Sequence, residues 1–256
     1  MKAGHKGQPL GHGIRLAAAF LPLALLLCAS PAWAKEATAA SPAPAGSGEA
    51  TAPRSSARPR LFGTVEFRRP LEKQKNWLAV LKRNADSPIF EDERKLRRST
   101  TWKQLREKAQ SSTLLHMLAE VNRFWNAWPY RADREVWGKE DFWAAPAEFL
   151  SRSGDCEDYC IAKYFTLREL GIPAEEMRIV IVRETIRGLA HAVLAVYDGQ
   201  DVHILDNLSD QVRPMRRVRN YQPHFSVNEK GRWMHVKATP VKKNGKPMEN
   251  RHDSKR

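Results

Sequence analysis

The sequence predicts an α+β fold, with helices gathered in the first half of the chain and strands in the second. Three observations carry that expectation. Two amphipathic stretches precede residue 130, a capped helical segment starts at Asp155, and β-rich runs follow it around Asp198-Gly199-Gln200-Asp201.

Over 71–82, Leu71, Trp77, Leu78 and Leu81 recur at helical spacing; Leu114, Leu115, Leu118, Val121, Phe124 and Trp125 form a second stripe that ends before Pro129. Aromatic and leucine side chains at that period are expected to build core rather than a ligand cage. The third helix starts at Asp155, a preferred N-cap residue, and Asp158 three positions on completes a box-like pattern. Gly171 is expected just past its end, and Pro173 prevents continuation. The period then changes: 177–183, 189–197 and 202–205 read as strands, the last two joined as an antiparallel hairpin by the Asp-Gly turn.

Both ends read differently. Lys2, Lys6 and Arg15, an apolar run over 16–27 and Ala32-Trp33-Ala34 form an export signal over residues 1–34. About a dozen apolar residues are too few to span a bilayer, which needs roughly 20. Leu27 stands before Cys28 where a lipoprotein would carry a small residue, so cleavage is expected after Ala34 and the product in the periplasm. Residues 35–59, almost entirely small, polar or proline, cannot bury enough surface to offset chain entropy and read as a flexible linker. One domain over 60–237 and a basic, disordered tail over 238–256 complete the expected organisation. The formal charge is +14, of which the first 34 residues carry three positives and no acid, leaving +11 on the exported chain. That balance reads first as a solvated basic surface and, more sharply, as attraction to an acidic partner or an anionic membrane. No nucleic-acid motif accompanies it, so nucleic acid is not an expected partner.

Only Cys156 and Cys160 remain after the signal is removed, which is no disulfide framework. Cys156 falls in the first turn of the third helix, where unpaired N–H groups and the helix dipole favour a thiolate. If Asp198 pairs with Asp201, paired positions in the hairpin place His191 and Asp206 on one face as diagonal neighbours, roughly 7–8 Å apart. A carboxylate at that distance can orient an imidazole, and the imidazole can take the thiol proton. Against this, Asp155, Glu157 and Asp158 crowd the thiol and should raise its pKa. Capping accounts for Asp155 and Asp158 more readily than for all three. A hard cation on these oxygens would cancel the charge, and Ca²⁺ suits such a site.

The run Gly154-Asp155-Cys156-Glu157-Asp158-Tyr159, with Ile161-Ala162-Lys163-Tyr164-Phe165, resembles the bacterial transglutaminase-like cysteine peptidases, the periplasmic LapG-type proteases. Further segments resemble that family in order: Leu61-Phe62-Gly63-Thr64-Val65-Glu66-Phe67, Val121-Asn122, Asp141-Phe142-Trp143-Ala144-Ala145-Pro146 with Glu148-Phe149, Ala190-His191-Ala192-Val193-Leu194, Leu205-Asp206-Asn207-Leu208 and Phe225-Ser226-Val227-Asn228. The resemblance implies a papain-like, transglutaminase-like fold with Cys156 as nucleophile, His191 as general base and acid, and Asp206 as its orienter. It also implies calcium on Asp155, Glu157 and Asp158. The implied substrate is the N-terminal region of a large repeat-containing surface adhesin, cut next to small residues to release it and disperse biofilm. The implied regulator is the periplasmic domain of an inner-membrane cyclic di-GMP receptor.

Two departures stand out: Cys160 occupies an expected alanine position, and Ala192 an expected methionine position. Cys160 reads as a small buried residue, or as a thiol able to capture an oxidised Cys156 one turn away. Other classes stay open at this point. The same thioester chemistry serves an acyl transferase, the same scaffold serves an inactive binding protein, and Cys156, Cys160, His191 and His203 compose a conceivable zinc module.

Overall fold

The structure is a computed structural model that describes residues 58–238. The expected signal segment, the linker up to residue 57 and the tail beyond 238 lie outside the described residues. In chain order the elements are β1 (Thr64–Arg69), α1 (Lys75–Asp86), β2 (Lys95–Arg97), β3 (Thr100–Thr101), α2 (Trp102–Ala109), α3 (Leu114–Asn126), α4 (Asp133–Trp137), α5 (Pro146–Arg152) and α6 (Cys156–Glu169). There follow β4 (Met177–Glu184), β5 (Ala190–Asp198), β6 (Asp201–Asp206), β7 (Ser209–Pro214), β8 (Tyr221–Asn228) and β9 (Gly231–Lys237). None of the described helices is long and apolar enough to cross a membrane.

A seven-stranded sheet in the order β1-β9-β8-β4-β5-β6-β7 forms one layer, antiparallel at every pairing. The hairpin register is the expected one: Asp198 pairs with Asp201 and Leu194 with Leu205. Gly199 supplies the positive φ of +57° that this tight turn needs. β4 and β5 are buried on both faces. Ile179, Ala192, Leu194 and Leu205 pack toward the helices, while Val180, Val182, Val193 and Ala195 pack under Leu61, Val218 and Tyr221. Two-sided burial explains why β5 reads as a continuous apolar run instead of an alternation.

The helical stripes are corrected in detail. The expected helix over 71–82 starts later, because Leu71–Lys73 is a 3-10 turn and Gln74 has non-helical torsions (φ −102°, ψ 71°). Its buried residues are Trp77 and Val80, with Leu81 partly buried against the core. Leu78 stays 36 % exposed, since it lies about 100° around the helix from Trp77. On α3 the buried apolar face is Leu118, Val121 and Trp125, and Leu115 in the first turn is 51 % exposed. Trp77 meets Tyr164 of α6 edge-on at 5.3 Å, and Trp125 Nε1 donates to Thr166 Oγ1 at 2.8 Å. The aromatic pair, contributing about 0.5–1.5 kcal/mol beyond buried area, and the hydrogen bond, contributing about 0.5–1.5 kcal/mol net, hold α6 between the outer helices and the sheet.

The sheet edge formed by β1 and β9 carries an acid-sensitive group. His235 is buried between Thr64 Oγ1 (2.9 Å from Nδ1) and Ser226 Oγ (2.8 Å from Nε2). Burial holds its pKa down from 6.5 to about 4, with Glu66 opposing that shift and Arg178 adding to it. The unfolded chain therefore binds a proton that the folded chain refuses between those two pH values, and stability falls as pH drops through the window. The expected loss is at most about 3 kcal/mol. It is read as the pH dependence of urea unfolding, which should flatten over that range in His235→Gln.

Candidate active site

The start of α6 is built by the turn before it. Ser153 adopts a left-handed conformation at φ +66°, costly by about 1–3 kcal/mol for a residue with a side chain. Its hydroxyl donates to Pro129 O, and Tyr130 bridges Gly154 while Arg131 N donates to Gly154 O at 2.9 Å. Gly154 is required sterically, because a Cβ there would run into the Asp158 carboxylate. That carboxylate is fully buried and accepts from Asp155 N (3.2 Å) and from Ala144 N (2.6 Å). Asp158 thus forms its half of the expected capping box and also pins the 141–146 segment to the helix. Asp155 is the N-cap residue, but its side chain makes no capping bond, and its Oδ1 is buried without a partner among the described residues.

β5 and β6 bring His191 and Asp206 together as the hairpin register requires. His191 Nε2 lies 2.9 Å from Asp206 Oδ1, with both side chains nearly buried. Asp206 also accepts from Tyr221 OH at 2.5 Å and from Leu208 N at 3.0 Å. Burial would raise its pKa, but the bonds from His191, Tyr221 and Leu208 win and hold it below the usual value of 3.8. Because Nε2 is engaged, Nδ1 is the imidazole nitrogen left to accept another proton.

Cys156 is only partly buried, packs against the main core beside α6, and donates to Glu157 Oε2 at 3.1 Å. No hydrogen bond joins it to His191 among the described residues, so the thiol and the His191–Asp206 pair form two separate polar units. Helix position favours the thiolate, yet burial first, then Glu157 and Asp155, push the thiol well above its ordinary pKa. Burial and the carboxylate of Glu157 together outweigh the dipole term of about 0.3–1 kcal/mol. The acids strain one another as well. Asp155 is pushed up to about 10 by burial and then by Glu157, Asp158 and Asp133, and burial holds Asp158 well above the carboxylate range.

The acidic cluster is larger than the three expected residues. Ligand atoms of Asp133, Asp155 and Asp158 lie within 4.8 Å of one another, as do those of Asp133, Asp141 and Glu157. Asp133, at the first turn of α4, accepts from Phe142 N at 2.5 Å through Oδ2, and its buried Oδ1 has no partner among the described residues. Two orphaned, buried carboxylate oxygens beside three further acids match the donor set of a hard cation, which takes oxygen ligands.

The family model for the bacterial transglutaminase-like cysteine proteinase matches residues 92–240, more than half of the chain. The chain belongs to that family. Among solved structures, calcium-bound Legionella pneumophila LapG is 30 % identical, the match covering 61 % of this proteinase and 86 % of that chain with a TM-score of 0.49. EGTA-treated L. pneumophila LapG matches with the same identity and TM-score, over 84 % of that chain. No curated protein matches the proteinase. The family model, with the helices and antiparallel sheet described above, makes the expected α+β, transglutaminase-like fold the fold of this proteinase, and its chemistry is that of a cysteine peptidase.

Sequence reasoning missed three residues of the site. Tyr221 and Asp133 offer no local signal, since their partners arrive through distant connections. Asp141 was noticed only as part of a resembling segment. The zinc grouping is not assembled. Cys160, His191 and His203 share no metal-ligand cluster among the described residues, and His203 Nε2 instead lies 3.4 Å from Asp198 Oδ2. Cys160 is 1 % exposed and packs in the core, where burial pushes its thiol up, so it fits the small buried reading. Lys163 of α6 is fully buried with no hydrogen-bond partner for Nζ among the described residues, and burial lowers its pKa to about 8.

Proposed function

We propose that the proteinase is an exported, calcium-dependent endopeptidase in which Cys156 attacks, His191 moves the proton and Asp206 orients the imidazole. The observation that carries this reading is the His191–Asp206 pair at 2.9 Å, which leaves Nδ1 as the accepting nitrogen in a fold whose other key thiol lies at a helix start. In the proposed reaction, Nδ1 takes the Cys156 proton and the thiolate adds to the scissile carbonyl. The Cys156 backbone N–H, unpaired at the helix N-terminus, faces the developing oxyanion. The imidazolium then gives its proton to the departing amine, leaving a thioester. Water, deprotonated by His191, releases the acid and restores the thiol.

Asp155, Glu157 and Asp158, joined by Asp133 and Asp141, are the residues that would hold calcium. Bound there, the cation supplies the positive charge that lets these carboxylates ionise together and lowers the thiol pKa. Glu157 is the residue that connects the two functions, since it both accepts from the thiol and belongs to the acidic cluster.

Tyr221 is assigned to position Asp206. Tyr221→Phe removes one charge-assisted hydrogen bond to a buried carboxylate, and kcat is expected to fall about 10-fold. KM should stay unchanged and the fold intact, as read by steady-state kinetics and circular dichroism.

The substrate reading follows from the motifs shared with the LapG-type family: the N-terminal region of a large surface adhesin, cut in the periplasm to release attached cells. The export-signal pattern of residues 1–34 supports the compartment, and a periplasmic receptor domain that responds to cyclic di-GMP is the proposed regulator. The test is incubation with N-terminal fragments of candidate large secreted adhesins from the same genome. One discrete, calcium-dependent cut is the expected result. A panel in which no fragment is cut, by a preparation whose thiol is intact, would overturn the substrate assignment.

A further inference from the structure

A second feature lies away from the thiol. The β2–β3 hairpin, α2 and the C-terminal half of α3 enclose a cavity of about 730 Å³. Four cations line it, Arg97, Arg98, Lys108 and Arg123, against the single carboxylate of Glu120. Glu120 is nearly buried and already neutralised, by Lys108 at 2.7 Å and Arg123 at 2.6 Å. The wall therefore keeps a clear excess of positive charge. Arg97 is fixed, donating to Ala127 O at 2.7 Å and standing 5.0 Å over the Trp128 ring. Arg98 is exposed, has no ion pair among the described residues, and is held in a left-handed conformation at φ +49°. That positive φ is what the two-residue turn between Arg97 and Thr100 requires, and the turn places Arg98 at the tip of the cationic wall.

Shape narrows the ligand. The cations come from three elements around a broad opening, and two of them, Lys108 and Arg123, are drawn to Glu120, which leaves the excess charge at Arg97 and Arg98. Leu105 and Phe124 give the cavity an apolar floor, and Thr100 and Gln104 add neutral hydrogen-bonding groups. Carboxylates spaced along a chain with apolar side chains between them satisfy all three features. The chain belongs to a peptidase family, so polypeptides are what it meets. The cavity also adjoins the catalytic region through the backbone: past Ala127, the Trp128 carbonyl accepts from Tyr159 OH at 2.7 Å, and Tyr130 bridges Gly154.

We propose that this cavity is a docking site for an acidic segment of a polypeptide, separate from the thiol and used to hold that polypeptide on the enzyme. The inference rests on cavity charge and shape and on no step of the cleavage reaction, so it stands or falls apart from the assignment of Cys156.

The probe is a short fluorescein-labelled peptide alternating Glu with Leu, and the protein is the full chain carrying Cys156→Ala, which leaves the probe intact. Fluorescence anisotropy should show saturable binding that weakens with salt. Arg98→Glu should weaken it at least about 10-fold, and Arg97→Glu with Arg98→Glu further. Hydrogen exchange should slow over 95–127 when the peptide binds. Thermal melting of Arg98→Glu, expected to be unchanged, separates lost binding from lost fold. Equal binding of a Gln-for-Glu peptide, undiminished binding by a folded Arg98→Glu, protection confined to other segments, or displacement of the peptide by inorganic phosphate at equal charge concentration would each overturn the proposal.

Discussion

Cys156→Ala is expected to fold as the parent chain does and to lose at least about 10⁴-fold in kcat/KM toward any cleaved polypeptide. The fold should survive because the thiol is small and only partly buried, and because the helix start depends on Gly154, Asp155 and Asp158 rather than on sulfur. Activity should not survive, since no second accessible thiol exists among the described residues: Cys160 is sealed in the core. Alkylation gives an independent readout. Iodoacetamide should place one label on the native parent, on Cys156, and none on the variant. Cleavage retained by a folded Cys156→Ala chain would end the assignment of the nucleophile.

The second large effect is calcium dependence. EGTA should lower activity by roughly 100-fold or more, a loss of the size that a shifted nucleophile pKa brings, and Ca²⁺ should restore it. The electrostatics give the direction. Without a cation, Asp155 sits near 10, burial holds Asp158 well above the carboxylate range, and the thiol is pushed up by burial and Glu157. In that state the folded chain binds protons that the unfolded chain releases above pH 3.8. The contribution of these acids is therefore negative: above the window in which His235 acts with the opposite sign, metal-free protein should lose stability as pH rises from about 6.5 toward 10. Ca²⁺ should reverse that trend, raise Tm by mass action and speed alkylation of Cys156 at neutral pH. Chelation with no effect on activity, Tm or thiol reactivity, and no calcium found by metal analysis of clean protein, would remove the metal from the reading.

Local signals carried much of this architecture, and the reason is physical. Asp155 and Gly171 mark helix ends through their own backbone preferences, and both stand where the chain pattern puts them. The pairing of His191 with Asp206 was legible because a two-residue turn leaves one register open, so Asp198 opposite Asp201 determines every pair above it. The helical stripes were less legible. Choosing Val80 over Leu78 as the buried residue depends on which side of α1 the rest of the protein covers, and spacing alone does not contain that information. Tyr221 reaches Asp206 from β8, whose neighbours in the sheet are β4 and β9, and Asp133 reaches the acidic cluster from a separate short helix. Such residues are recruited by tertiary packing and leave no periodic trace. The pairing of Thr64 with Lys237 across the whole domain is hidden for the same reason.

The thiol and the imidazole belong to different layers. Cys156 rides on α6, His191 on β5, and no backbone hydrogen bond among the described residues joins that helix to that strand. A slip of one helical turn, about 5.4 Å, would leave each element's internal hydrogen bonds intact while breaking the Asp158–Ala144, Tyr159–Trp128 and Trp125–Thr166 bonds that set the height of α6. The enzyme thus doubles as a gauge of its own assembly. On the proposed Cys156–His191 chemistry, a loosened intermediate with complete secondary structure would hold every part of the peptidase without bringing them together, so activity is expected only once these side-chain contacts are made.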